Sequence, residues 1–468
     1  MNNVLRLSST SGITSTPGRL KLVLAAGWFF ALLLFALTAF SAHQRYLSVK
    51  TVGVDAAPSV VASQRIKIAI ASLDTNIVNE LLAKPGAAPE TITEFEKWRL
   101  QIAEQLVIAA KNITYDGEQS AIQTMQAGLT EMAMDVQGAR DAHALGNDAL
   151  AISWYRKSLS VLEDTLLPAS QKLEQINHAQ LETTYAGQKA SSWVFLALAL
   201  GSGIATIAAL LCVQIFLRGR FHRNFSPPLV AAILVAAALT TYTGVAFTLQ
   251  SGHLRAAKQD SYDSVIALLE AKSNAYVANA AESRYLLDPA MAAKYEKTFV
   301  DESRRLVIFS NGMNYDQATS LAGAGQLVPK ESFSGRLADE LNNITFQGPE
   351  FVQRYGFGER DVATSTLKAW GVYMAADQKI RALETNGHHA EAIAFCLSFK
   401  PGDSNWAFAQ FDAALDKTLS INIGEMQRNT GLAFADLALM PYLPPLACFL
   451  IAILIYSSLR PRLREFEI

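Results

Sequence analysis

The chain has 468 residues, with 40 lysines and arginines against 42 aspartates and glutamates, and a formal net charge of −2. That balance leaves no electrostatic case for nucleic-acid binding, and a hydrophobic share of 50% suits several membrane spans better than a soluble fold. Three cysteines, Cys212, Cys396 and Cys448, two of them in apolar stretches, exclude a disulfide framework and a spaced metal cluster.

Residues 1–19 are rich in Ser and Thr and read as a disordered cytoplasmic arm. Residues 20–42 form a first apolar span. Its run is longer than a signal-peptide core and no small-residue cleavage site follows, so it is predicted to stay uncleaved. Residues 43–190 form a first external region. Apolar residues there recur at helical spacing, as in Ile66, Ile70, Leu73, Ile77 and Leu81, which predicts helices over 56–83, 90–113, 118–146 and 147–188. This is the pattern of an up-down four-helix bundle, and its last helix continues into a second span at 191–217.

Residues 218–228 form a tight hairpin to a third span at 229–249. Arg218, Arg220 and Arg223 place the hairpin in the cytoplasm, because short basic loops stay inside. Residues 250–433 form a second external region, helical again, broken by a Gly-rich insert at 311–360. A fourth span at 434–459 contains Pro441, Pro444 and Pro445, which predict a kink. Residues 460–468 form a cytoplasmic tail held by Arg460, Arg462 and Arg464. The fold class expected is therefore an all-α membrane protein with four transmembrane helices and two extracytoplasmic, four-helix-bundle-like domains, set in a bacterial cytoplasmic membrane with both termini inside.

The two halves repeat one plan. Asn79-Glu-Leu-Leu82 answers Arg284-Tyr-Leu-Leu287, Phe95-Glu-Lys97 answers Tyr295-Glu-Lys297, and Gly146-Asn-Asp-Ala-Leu-Ala-Ile152 answers Gly387-His-His-Ala-Glu-Ala-Ile393. Their order and spacing predict an internal duplication.

Neither a zincin, nucleophile-elbow, P-loop nor Rossmann signature is present, so no catalytic residue, cofactor or metal is expected. His388 and His389 are adjacent and lack a third ligand at suitable spacing, so they read as capping or solvated residues. The cytoplasmic parts are too short for a folded output domain. Asp436 is the one carboxylate inside the nominal limits of a span, and buried ionisable residues that would mark a translocation path are not expected. Recognition outside the membrane remains. Arg65, Asp74, Asn76 and Asn79 share one predicted helix, and Asn274, Asn279, Glu282 and Arg284 share another. Such groups hold a small zwitterion or a partner's loop; the plainer reading is a solvated face with scattered ion pairs. Asn274 and Asn279 lie among small apolar residues, where a buried amide needs partners.

The strings Ala278-Asn-Ala-Ala-Glu-Ser-Arg-Tyr-Leu-Leu-Asp288, Gly335-Arg-Leu-Ala-Asp-Glu-Leu-Asn-Asn-Ile-Thr-Phe346 and Pro401-Gly-Asp-Ser-Asn-Trp-Ala-Phe408 resemble a family of bacterial four-pass membrane proteins. That family includes the membrane component of the actinobacterial glutamate-sensing system. The external regions resemble, more distantly, the four-helix sensor domains of chemoreceptors, without their signalling helix. The resemblance implies a relay between an amino-acid-binding lipoprotein outside and a Ser/Thr kinase inside. It assigns no ligand residues. Glu282, Arg284, Glu340, Asn343, Asn405 and Trp406 in these strings are the candidates for a docking surface, with core packing the alternative for Trp406 and Phe408. The function expected is a non-catalytic sensor or relay, with the bilayer and a homodimer as further associations. A small-molecule transporter or channel subunit, or an envelope scaffold, is the alternative.

Overall fold

The computed structural model of the protein describes residues 16–87, 89–221, 226–324, 326, 328–343 and 358–464. These are nearly all helical: α1 (Thr16–Lys50), α2 (Ala57–Leu82), α3 (Pro89–Lys111), α4 (Glu118–Ala144), α5 (Asp148–Val161), α6 (Leu167–Phe221), α7 (Pro227–Arg255), α8 (Asp263–Leu287), α9 (Ala292–Leu306), α10 (Tyr315–Gly323), α11 (Arg336–Asn343), α12 (Glu359–Thr385), α13 (His389–Leu397), α14 (Ser404–Leu437) and α15 (Leu443–Arg464). Three π-helical segments, Thr51–Ala56, Leu162–Leu166 and Ala256–Tyr262, join α1 to α2, α5 to α6 and α7 to α8. Inside the expected insert, two short strands pair antiparallel, Ile308 with Ser334 and Phe309 with Phe333. Residues 344–357 of the insert lie outside the described residues.

Local chemistry sets the helix limits. At the start of α4 the Glu118 carboxylate accepts the Thr114 and Tyr115 amides at 2.7 and 2.8 Å, where negative charge also meets the helix dipole. The α4 end is a Schellman turn. Gly146 stands at φ +71 and the Asn147 amide donates to the Ala142 carbonyl at 2.9 Å, the left-handed position that glycine takes without a Cβ penalty. Asn147 then caps α5 by accepting the Leu150 amide.

Four helices are long and apolar enough to cross a membrane, within Gly18–Leu82, Asp148–Gly219, Pro227–Leu287 and Leu443–Arg464. The chain is thus a multi-pass membrane protein. The fourth span departs from expectation. It is not one kinked helix over 434–459, because α14 ends at Leu437 and a fresh helix starts at Leu443. Proline lacks an amide proton and clashes with the preceding turn. Three prolines within five residues therefore end one helix, and Pro444 and Pro445 fall in the first turn of the next, where a missing donor is harmless.

Two compact units divide the chain. The apolar unit comprises residues 1–52, 183–256 and 428–468; the polar unit comprises residues 53–182 and 257–427. The two polar segments expected as separate regions thus fall in one unit. It holds two apolar clusters. One is built from α2 to α6, with Ile70, Ile77, Ile102, Met125, Tyr155 and Leu166. The other centres on α8, α12 and α14, with Leu269, Ala275, Leu367, Trp370 and Phe411. α2 packs along α8 and supplies residues to both clusters.

The apolar unit contains a buried ion. Arg45 is 1% exposed. Its guanidinium donates to the Phe247 carbonyl at 3.0 Å, Gln250 Oε1 at 2.7 Å, Ser251 Oγ at 2.8 Å and the Ser192 carbonyl at 2.7 Å, and lies over the Phe247 ring. Arg45 lies one turn past residue 42, where the apolar run stops, but α1 continues to Lys50. The planar fork reaches four acceptors on α6 and α7 at once, which a lysine cannot do. Arg45→Lys is expected to lose about 1.5–3 kcal/mol from the apolar unit. This would be read as a lower midpoint of thermal unfolding in nanodiscs; an unchanged midpoint would contradict this description. Asp436, the carboxylate singled out in the sequence, accepts from His253 Nδ1 at 2.7 Å.

Candidate ligand cavity

Side chains three and four apart on a helix share a face. On α2 this brings Ser72, Thr75, Asn76 and Asn79 into one row. The row forms one wall of a cavity of about 440 Å³ in the polar unit. Tyr276 and Asn279 of α8 form the second wall. Glu90, Glu94, Lys97 and Trp98 of α3 form the third, and Asn405, Phe408 and Asp412 of α14 the fourth. The rings are locked edge to face: Tyr276 lies 5.9 Å from Trp98 and 4.9 Å from Phe408 between centroids, a favoured quadrupolar arrangement. Volume and lining suit a small organic solute, with apolar walls and a few convergent polar groups.

The charges around the cavity are unequal. Glu94 pairs with Lys97 at 3.0 Å, and buried Lys272 is shared between Asp412 at 2.8 Å and Asp416 at 2.6 Å. Of these groups, together with Glu90, three carboxylates (Glu90, Glu94 and Asp412) and one ammonium group (Lys97) line the cavity itself. Burial pushes the Asp412 carboxyl up, with the Lys272 charge opposing.

Beneath the cavity lies a buried polar layer. Asn79 Oδ1 accepts from Ser283 at 2.8 Å, and Asn279 donates to the Tyr373 hydroxyl at 3.3 Å. Glu282 is fully buried. Its Oε1 accepts from Ser404 at 2.7 Å and faces the Cys396 thiol at 3.7 Å. Its Oε2 lacks a hydrogen bond within the described residues. Burial, and then the nearby Asp377 charge, push the Glu282 carboxyl up to about 8. Asp377 is itself held by Arg381 at 2.9 Å.

On the other side of the α2–α8 pair the space is filled by ions. Arg284, 4% exposed, donates from Nε to Asp74 Oδ2 at 2.8 Å, and the Tyr155 hydroxyl donates to Asp74 Oδ1 at 2.9 Å. Glu163 sits 4.0 Å from Arg284 and 3.2 Å from Lys294. Burial pushes the Asp74 carboxyl up, against the opposing pull of Arg284.

The sequence candidates therefore scatter. Asn76, Asn79, Asn279 and Asn405 converge on the cavity. Glu282, Arg284 and Glu340, named for a docking surface, are buried, and so is Asp74; charged side chains in an interior must pair with other protein groups. Trp406 packs against the second apolar cluster. The side chain of Asn343 lies outside the described residues. Exposed Arg65 borders a cleft of about 380 Å³ with Trp98 and Lys272. Asn274 lines a larger one, about 770 Å³, whose Lys67, Arg305 and Arg336 already pair with Glu174, Glu302 and Glu270. Arg218, Arg460 and Arg464 are exposed and Arg462 is half-buried. Arg223 and the side chain of Arg220 lie outside the described residues. His388 and His389 pair with Glu391 and Glu384 at 2.9 and 2.8 Å. Sequence reasoning missed Trp98, Tyr276 and Asp412, and singled out Phe408 only within the Pro401–Phe408 string. They sit on core-facing sides of helices, where an aromatic or one acid among core residues carries no mark of its own.

Residues 48–186 match the family model described as Actinobacterial sensor domain. The match takes in α2 and α3, and so two of the cavity walls. No curated protein and no solved structure matches the chain.

Proposed function

We propose that this multi-pass membrane protein is a sensor without a reaction of its own, and that its polar unit faces the outside and receives a small solute in the cavity between α2, α3, α8 and α14. One observation carries the reading: four amides flagged independently in the sequence, from three helices, line the same cavity, partly within the segment that matches a sensor-domain model.

Solute bound there would brace α2 against α8 and α14. α2 follows α1 and α8 follows α7 through π-helical segments. A π turn holds one extra residue and is a common site of functional change in a helix, so a shift of ~1–2 Å is absorbed or transmitted there. The arginines of the hairpin and tail would present the result to a cytosolic partner, in the manner of the kinase relay implied by the resemblance. A binding lipoprotein docked on the polar unit would be a second input.

The test is a screen of small polar solutes for thermal stabilisation of the full chain in nanodiscs, beside Ala409→Trp, which puts an indole into the cavity. Stabilisation by some solute in the native chain, lost in Ala409→Trp, supports the reading. Failure of every solute, or stabilisation that Ala409→Trp leaves intact, overturns it.

A further inference from the structure

The cavity and the ion cluster across the α2–α8 pair occupy matching positions in a repeated plan. An offset of 241 residues lays α4–α5 on α12–α13, with Glu118 on Glu359, Arg140 on Arg381 and Gly146 on Gly387. Several of the matched side chains make like contacts, although Arg140 pairs with Glu80 and Arg381 with Asp377. Glu118 and Glu359 each begin a 27-residue helix. They accept from Asn177 at 2.6 Å and Asn422 at 3.0 Å, and both asparagines also donate to the carbonyl four residues back. Each arginine also lies over an aromatic ring, Arg140 at 4.7 Å from Phe95 and Arg381 at 4.3 Å from Tyr285, though these two rings are not matched positions. Gly146 and Gly387 stand at φ +71 and +79 and close the same turn, with His388 donating to Leu383 as Asn147 does to Ala142. An offset of 205 lays α2 on α8, with Thr51 on Ala256 at the start of each π segment, Asp74 on Asn279 and Asn79 on Arg284.

We infer that the polar unit carries two copies of one site, that Arg284 plugs one copy from within, and that the open copy takes a small organic cation, a guanidinium or primary ammonium with a polar tail. The inference rests on the sensing reading and names its ligand. In the closed copy a guanidinium reaches from α8 to the Asp74 carboxylate on α2. In the open copy Asn79 stands where Arg284 would and Asn279 where Asp74 would, so both the plug and its carboxylate are replaced by amides, which leaves the 440 Å³ space. The open copy has its own carboxylates at other positions, Glu90 and Glu94 on α3 and Asp412 on α14, against Lys97, and adds the rings of Trp98, Tyr276 and Phe408, on which a cation is held by the ring quadrupole. The amides of Asn76 and Asn405 remain to bond the tail.

Agmatine and disodium succinate, at matched ionic strength, distinguish the ligand class on the full chain in nanodiscs. Agmatine at about a hundred times its Kd is expected to raise the unfolding midpoint of the polar unit by about 5 °C, with no rise for succinate. Asp412→Asn is expected to weaken agmatine binding about tenfold. Asn79→Arg, which installs the plug of the sister copy, is expected to abolish the shift; Asp412→Asn serves if Asn79→Arg does not fold. A rise with succinate alone overturns the ligand class and leaves the sensing reading standing. An agmatine shift that both variants retain overturns the location. A shift with neither probe overturns the inference, and the sensing reading then depends on the solute screen alone.

Discussion

Replacing Arg284 with methionine is expected to destabilise the polar unit by about 3–5 kcal/mol, the range for a buried charge stripped of its partner. Asp74, 1% exposed, would keep only the Tyr155 hydroxyl. It would take up a proton or draw in water, and either response strains a site already filled to contact. At about 2–4 °C per kcal/mol for a domain of this size, the midpoint should fall by roughly 10 °C. The double variant Arg284→Met/Asp74→Leu is expected to recover most of the loss. Burial already works against the Asp74 charge, so the pair itself adds little net stability. Removing both ions removes both desolvation costs. A double-mutant cycle by thermal unfolding measures this. Equal losses in the single and double variants would show that packing of the Arg284 stem, rather than the charge pair, fills the site.

Stability is expected to fall as pH rises from about 5 to 8. Glu282 has its carboxyl pushed up to about 8, by burial first and the Asp377 charge second. Glu340 is pushed up to about 7, by burial and then by Glu359. Both ordinarily lose their protons near 4.5. A carboxyl whose folded value is raised holds its proton in the native state after the unfolded chain has released it. Its contribution is fully present below about 4.5 and is lost as pH climbs through the folded value. Each such group contributes a slope of at most about 1.4 kcal/mol per pH unit. The summed change is several kcal/mol. Glu282→Gln, which keeps an acceptor for Ser404, is expected to make the slope shallower and to stabilise the unit at pH 8; denaturant unfolding at pH 5 and pH 8 reads both effects. A slope unchanged by Glu282→Gln would mean that Glu282 is ionised in the folded protein.

Much of the architecture was legible because helices announce themselves by period. α2, α3 and α4 end within two residues of the limits read from apolar spacing, and Gly146 and Gly387, matched in the repeat, both stand in left-handed turns between helices. The break at 438–442 was not read, because hydropathy runs smoothly across it. Arg45 escaped because the span was closed where its apolar run stopped, and because its acceptors lie some 150 to 200 residues away in sequence. Asn274 and Asn279 stood out as amides among small apolar residues; Asn279 proved to be buried with a hydrogen-bond partner, whereas Asn274 is half-buried and lines the larger cleft. Glu282 and Arg284 looked equally available for a partner; their burial depends on packing between α2, α8 and α14, and no local pattern encodes that. The aromatic walls are the same case, since Tyr276 and Phe408 would suit any helix core.

The central claim is that both polar segments belong to one solute-receiving unit on the outer side of the membrane. In a background with Cys212, Cys396 and Cys448 replaced by alanine, single cysteines at the exposed positions Leu145, Glu391 and Arg460 can be tested with a membrane-impermeant maleimide on intact cells. Labelling is predicted at 145 and 391 in intact cells, and at 460 only after permeabilisation. Labelling of 145 and 391 from opposite sides would contradict the account.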